Sequence, residues 1–176
     1  KRSLTLDLSS EEGQSIAREL ISKSDILVEN FKVGTLKKYN LDYESLKDQF
    51  PDLIYCSITG FGQTGPYASR PAYDALVQAM GGVMSLTGEP DGEPMKVGVS
   101  IADLMAGMYA TVSILAALRH RDKTNQGQHL DISMLDAHVA WLANQGMNYL
   151  ATGRNPDRLG NQHPNILPYQ VIPSKD

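Results

Sequence analysis

Cysteine is almost missing from this sequence: Cys56 stands alone, so no internal disulfide framework can form. It lies in the apolar run Leu53-Ile-Tyr-Cys-Ser-Ile58, where a buried strand thiol is expected rather than a nucleophile. A lone cysteine also fits a reducing, cytoplasmic compartment. Positive charge is in short supply as well. The 16 Lys and Arg are outnumbered by 20 Asp and Glu, and the formal net charge of -4 leaves no basic footprint for nucleic acid. Neither an apolar run of transmembrane length nor a lipidation motif is read in the chain, so no membrane partner is expected. The four histidines, His120, His129, His138 and His163, share no i, i+4 spacing with a carboxylate partner. No metal site is expected, and each is read as a surface or helix-end histidine. No serine occupies a Gly-x-Ser-x-Gly elbow. An initiator Met and a signal peptide are not seen at the start, which is already strand-like at Lys1-Arg-Ser-Leu-Thr-Leu-Asp-Leu8. The last residues, Ile172-Pro-Ser-Lys-Asp176, read as a turn leading into another strand, so the chain is taken as an interior piece of a longer protein.

What is present reads as globular. A hydrophobic share of 41% and a charged share of 20% suit one ordinary domain or part of a larger one. Leu4, Leu6 and Leu8 alternate as in a half-buried strand. Ser9 and Ser10, followed by Glu11 and Glu12, open a helix running to about Ser24. A short strand covers Asp25 to Val28, a turn or short helix carries Lys37 and Lys38, and a helix spans Tyr43 to Phe50. Pro51-Asp52 breaks into a strand from Leu53 to Thr59. This alternation predicts a parallel sheet covered by helices. A helix from Tyr73 to Met84, interrupted at Gly81-Gly82, precedes the turn-rich Thr87 to Pro94. After a strand at His129 to Ser133, a helix capped by Ser133 and Asp136 runs to Ala151, and a Gly-, Pro- and Asn-rich tail follows.

The most apolar stretch runs from Val97 to Arg121. It reads as a β-like entry and then a buried helix, with Ile101, Leu104, Met105, Met108, Val112, Leu115 and Leu118 on the buried face. Ser100 stands at the N-cap position and Asp103 three residues on, the arrangement of a capping box. Asp103 therefore has two readings. One is local helix chemistry. The other is a carboxylate nucleophile, kept ionised by the helix N-terminus, that attacks an activated acyl group.

Gly60, Gly62 and Gly65 match a dinucleotide-binding spacing after a predicted strand, yet Pro66 and Pro71 prevent a helix from starting at the third glycine. No nicotinamide or flavin is expected, and the loop is read as one that lets a ligand approach the backbone. Lys37 and Lys38 are either solvated charges or holders of a phosphorylated ligand at the strand ends. Tyr73 and Asp74 are either a helix cap with a packed aromatic or part of a site.

Six blocks in order carry a resemblance: Lys1 to Leu8, Asp25-Ile-Leu-Val-Glu-Asn-Phe31, Gly60-Phe-Gly-Gln-Thr-Gly-Pro-Tyr67, Ala72-Tyr-Asp-Ala-Leu76, Gly127-Gln-His-Leu-Asp-Ile-Ser-Met-Leu-Asp136 and Gly160-Asn-Gln-His-Pro-Asn165. Together they are similar to the class III coenzyme A transferase family, the CaiB/BaiF or formyl-CoA transferase-like group. The resemblance implies an α/β fold with a Rossmann-like parallel sheet and flanking helices. Residues 1–151 would form the central part of the large domain, and 152–176 a linker or loop leading to a small domain. It implies an interlocked homodimer acting on an acyl-CoA and a carboxylic acid, with coenzyme A as substrate and no metal.

The family's nucleophilic aspartate falls on Asp103. Its CoA-contacting positions fall on Asn30, Phe31, Thr35, Lys38, Tyr73 and Met134, with Lys38 where the family often has Arg. Asp74 matches an acidic position beside the nucleophile, and His163 and Asn165 a loop over the acyl site. Backbone N–H groups at the helix start are expected to stabilise oxyanions. α-Methylacyl-CoA racemases share the fold, but their histidine would fall on Tyr73, and the run after Asp103 is Leu-Met-Ala-Gly107 rather than glycine-rich. Transfer is favoured. A racemase and a non-catalytic acyl-CoA-binding protein stay open as alternatives.

Overall fold

The computed structural model describes residues 1–175. Three parallel strands make its sheet in the order β1 (Ile26–Glu29), β2 (Ile54–Thr59), β3 (His129–Ser133). Val28 lies opposite Cys56, and Cys56 opposite Leu130. The central strand is covered on both faces, which is why β2 reads as a nearly continuous apolar run rather than an alternating one. Its Cys56 and Ile58 face α5 (Ile101–Thr124) and Val77 of α3 (Asp74–Met80). Its Tyr55 faces the other way, into a cluster with Ile21 of α1 (Glu11–Ile21) and Leu46 of α2 (Tyr43–Leu46). There the phenol donates to Leu41 O at 3.0 Å. Burial pushes the Cys56 thiol up to about 11, so it stays an unreactive packing group.

Local signals explain most boundaries. Ser10 Oγ accepts from Gly13 N–H and opens α1. Ser133 Oγ accepts from Asp136 N–H and opens α6 (Met134–Val139). The pair Gly81-Gly82 separates α3 from α4 (Val83–Leu86). The last predicted helix is split, because a 3-10 turn at Ala140–Leu142 and an unusual backbone at Ala143 intervene before α7 (Ala143–Thr152). No helix or strand follows up to residue 175, and Asp176 of the expected closing turn lies outside the described residues.

Four expectations are corrected. Residues 1–7 form no strand, their backbone joining none of the described strands in a ladder; Leu6 and Leu8 instead line a groove beside α1 and β1. Val97 to Val99 is likewise no strand. The buried face of α5 is not the large apolar one. Ala102, Met105, Ala106, Ala110 and Ala117 pack inward, while Leu104, Met108, Val112 and Leu115 are each more than half exposed. Periodicity alone could not choose, since α5 is apolar on every side and its small residues allow the closest approach to the sheet. By length and composition α5 is also long and apolar enough to cross a membrane. The expectation that the chain holds no apolar run of that length is therefore not met.

Gly127 marks a close approach between two backbone segments. Its N–H donates to Pro51 O at 2.8 Å, and a Cβ there would lie 2.0 Å from Leu53 O. That contact sets β3 against β2. Gly127→Ala is expected to lower stability by about 2–3 kcal/mol, read as a lower urea midpoint at unchanged slope in the full-length protein.

Candidate active site

Asp103 stands in the first turn of α5 and, together with Asn30, Gly60, Tyr73 and Met134, lines a cavity of about 470 Å³. Each comes from a different element that ends at the same edge. Asn30 follows β1, and its side-chain amide donates to Ile58 O, tying the ends of β1 and β2. Gly60 follows β2 and presses against Ala72, where a Cβ would come within 2.2 Å of the alanine methyl. Its carbonyl accepts from Leu135 N–H at 3.0 Å, which joins the loop to α6. Tyr73 precedes α3 and is 80% exposed, so its ring is free to meet a ligand. Met134 is buried at the base. This is the carboxyl edge of an open parallel sheet, where such folds bind ligands.

A second cavity of about 240 Å³ shares Asn30, Gly60, Ala72 and Tyr73 with the first and adds Phe31, Lys32 and Arg70. The Arg70 guanidinium lies over the Tyr67 ring at 4.2 Å. The two cavities adjoin through these shared residues, so the lining runs as a path from Asp103 to a pair of cations. Thr35 and Lys38 line neither; they sit at and within the 3-10 turn Leu36–Tyr39, with Lys38 exposed. Sequence reasoning missed Lys32 and Arg70, since no motif marks an exposed cation brought in by two separate loops. It also missed Ala106 and Gly107, one turn beyond Asp103, whose small size leaves room beside the carboxylate.

Asp74 faces inward. Its Oδ1 accepts from Ala102 N–H at 2.9 Å and its Oδ2 from the Gln78 amide at 2.8 Å. The expected capping box at Ser100 is not formed: Ser100 makes no side-chain cap, and Asp74 reaches across from α3 to take that part. Ile101 N–H is also taken, by Val99 O at 2.8 Å. Two N–H groups expected to receive oxyanions are therefore engaged.

The Asp103 carboxyl is held above its ordinary range, first by desolvation and then by the like charge of Asp74. The sign for stability follows. A folded-state pKa raised above the unfolded one makes the ionised carboxylate a cost that is present above the folded pKa and fades as pH falls toward the ordinary value.

His163 and Asn165 lie elsewhere, in the tail over α7. His163 Nδ1 accepts from Asn165 N–H at 3.0 Å, and the Asn165 side chain meets Asn148 at 3.3 Å. Neither lines the Asp103 cavity. His138 is buried against Gly81 rather than at a surface, because that glycine leaves room for its ring. Burial lowers its pKa, and Asp74 partly opposes the shift. His129 is half-buried, 3.0 Å from Ser57 Oγ and stacked on Tyr43. A larger cavity, about 770 Å³, separates α4 and α7 from residues 155–159 and holds none of the predicted site residues. Its Arg158 is engaged with Glu89 O and Gly92 O.

Known proteins are similar to this chain along its whole length. A succinate–glutarate CoA-transferase from Agrobacterium fabrum is 56% identical over the whole chain, which covers 44% of that protein. A human succinyl-CoA:glutarate CoA-transferase is 39% identical, again over the whole chain and 40% of its own length. A crystal structure of a CaiB/BaiF family protein from Brucella suis superposes with a TM-score of 0.92 at 55% identity, over 98% of this chain and 46% of that one. The chain thus spans less than half the length of these relatives. The family pattern described as CoA-transferase family III runs through residues 1–176. On that match over its whole length, the chain belongs to CoA-transferase family III.

Proposed function

We propose that the full-length protein moves coenzyme A between two short dicarboxylic acids, succinate and glutarate being the pair that its relatives' names suggest. The observation that carries this reading is that Asp103, with Asn30, Gly60, Tyr73 and Met134, lines a cavity that adjoins the cation-flanked one.

In the proposed mechanism an Asp103 oxygen attacks the carbonyl of the donor thioester. The C–S bond breaks, CoA leaves as thiolate, and an aspartyl-acyl anhydride remains. The thiolate then attacks the aspartyl carbonyl and expels the donor carboxylate, leaving an aspartyl-CoA thioester. The acceptor carboxylate attacks that carbonyl, releasing thiolate and forming a second anhydride. Thiolate attack on the acyl carbonyl of this anhydride frees the new acyl-CoA and the Asp103 carboxylate. No net proton or electron is exchanged, so a site lined by one reactive carboxylate suffices. Phe31 and Tyr73 offer stacking surface along the path, and Lys32 and Arg70 offer charge for CoA phosphates. The outward face of α5, with Leu104, Met108, Val112 and Leu115, supplies apolar surface that the proposed interlocked homodimer would cover.

Mixing the full-length protein with succinyl-CoA and glutarate tests the reading. Glutaryl-CoA and free succinate should form in equal amounts. Absence of transfer, with α-proton exchange of a 2-methylacyl-CoA in heavy water, would identify a racemase instead. CoA binding without either reaction would identify a binding protein.

A further inference from the structure

Gln78 is a polar residue with no exposed surface, one turn after Asp74 on α3. A buried amide is unfavourable unless its donors and its acceptor find partners, and here they do. Oε1 accepts from Val97 N–H at 2.8 Å. Nε2 donates to Asp74 Oδ2 at 2.8 Å and reaches Val99 O at 3.4 Å. These partners adjoin the start of the helix that carries the nucleophile. Val97 and Val99 lie in the stretch that feeds α5, and the second oxygen of Asp74 accepts from Ala102 N–H, the residue before Asp103. That feeding stretch pairs with no strand, and Ser100 makes no cap. The amide therefore ties together the two supports of an otherwise uncapped helix start.

We infer that Gln78 is a positioning residue for CoA transfer: through Asp74 and the Val97–Val99 backbone it holds the first turn of α5, and with it the Asp103 carboxylate, in the wall of the reaction cavity. This rests on the transferase reading above. Gln78 lines neither the reaction cavity nor the outer path, so its loss acts on the geometry of attack rather than on substrate contacts. A misplacement of the order of 1 Å lowers a rate about 100-fold. The expected signature is a fall in kcat of that order at nearly constant KM.

Two variants of the full-length protein test this, with succinyl-CoA as donor and hydroxylamine trapping of acylated Asp103 as the readout across pH. Gln78→Leu removes every polar contact and should slow Asp103 acylation by roughly 30- to 100-fold at all pH values, with KM within about twofold. Gln78→Glu keeps the shape. While protonated, the introduced carboxyl donates to Asp74 and accepts from Val97 N–H, so acylation should approach the wild-type rate at low pH. Deprotonation sets it against the Asp74 carboxylate, giving a falling alkaline limb that the wild type lacks. A purely structural role would change the amount of folded protein and leave the profile of each folded site unchanged. Should Gln78→Leu fail to fold, Gln78→Glu decides alone: a profile parallel to the wild type overturns the inference, whatever its level. A wild type that never labels at Asp103 overturns the transferase mechanism and this inference with it. A labelled wild type beside indifferent variants overturns the inference alone.

Discussion

Asp103→Asn should abolish CoA transfer by the full-length protein, lowering kcat by roughly 10⁴-fold or more, since removing a covalent nucleophile leaves only binding and orientation. The amide keeps the size of the side chain, so the cavity with Asn30, Gly60, Tyr73 and Met134 stays formed and CoA binding persists. Hydroxylamine quenching followed by peptide mass spectrometry reads the step directly. The wild type should carry a hydroxamate on the Asp103 peptide after mixing with succinyl-CoA, and the variant none. A variant that keeps wild-type turnover would return Asp103 to a helix-start residue. The same substitution removes a carboxylate whose pKa is raised by desolvation and by Asp74. At neutral pH the variant should therefore melt at a higher temperature than the wild type, a gain that disappears as pH falls and the native carboxyl takes up its proton. Activity and stability pull in opposite directions at this position, as at many reactive sites.

Replacing Asp74 should be nearly as damaging, for a different reason. Asp74→Ala leaves Ala102 N–H without an acceptor and takes away one partner of the buried Gln78 amide. Unsatisfied buried groups each cost about 1–3 kcal/mol, and the first turn of α5 loses an anchor next to the nucleophile. We expect roughly a 100-fold drop in kcat. Asp74→Asn separates geometry from charge, because one oxygen remains to accept from Ala102. Loss of the like charge should lower the Asp103 pKa and move the acid limb of the rate profile to lower pH, since attack requires the ionised carboxylate. An acid limb that stays in place in Asp74→Asn would show that the two carboxylates do not influence each other during catalysis.

Much of this architecture is written in the order of residues. The continuous apolar run of β2 could only be a strand covered on both faces, and Ser10 and Ser133 announced helices that begin where their hydroxyls find N–H donors. The family blocks marked Asp103, Asn30, Tyr73 and Met134 as a group, and the fold brings these four to one cavity. Such features are local or linear, so a sequence carries them directly. Tertiary structure alone decided the others. Leu4, Leu6 and Leu8 alternate like a strand, but a strand also needs a neighbour for its hydrogen bonds. On α5, apolar all round, the alanines face inward because small residues permit close packing on the sheet, and no periodicity distinguishes that from the Leu and Met face. Ser100 and Asp103 have the spacing of a capping box, yet Asp74, nearly thirty positions away, took the Ala102 N–H. Lys32 and Arg70 line the outer cavity because two separate loops end beside the same strand ends, whereas Lys38, the position the family resemblance marks, lines neither cavity. Sequence by itself determined the three strands of the sheet and most of the helices, and it singled out Asp103 as the candidate carboxylate. Only the fold decided which faces are buried and what holds that carboxylate in place, because both depend on partners distant in the chain.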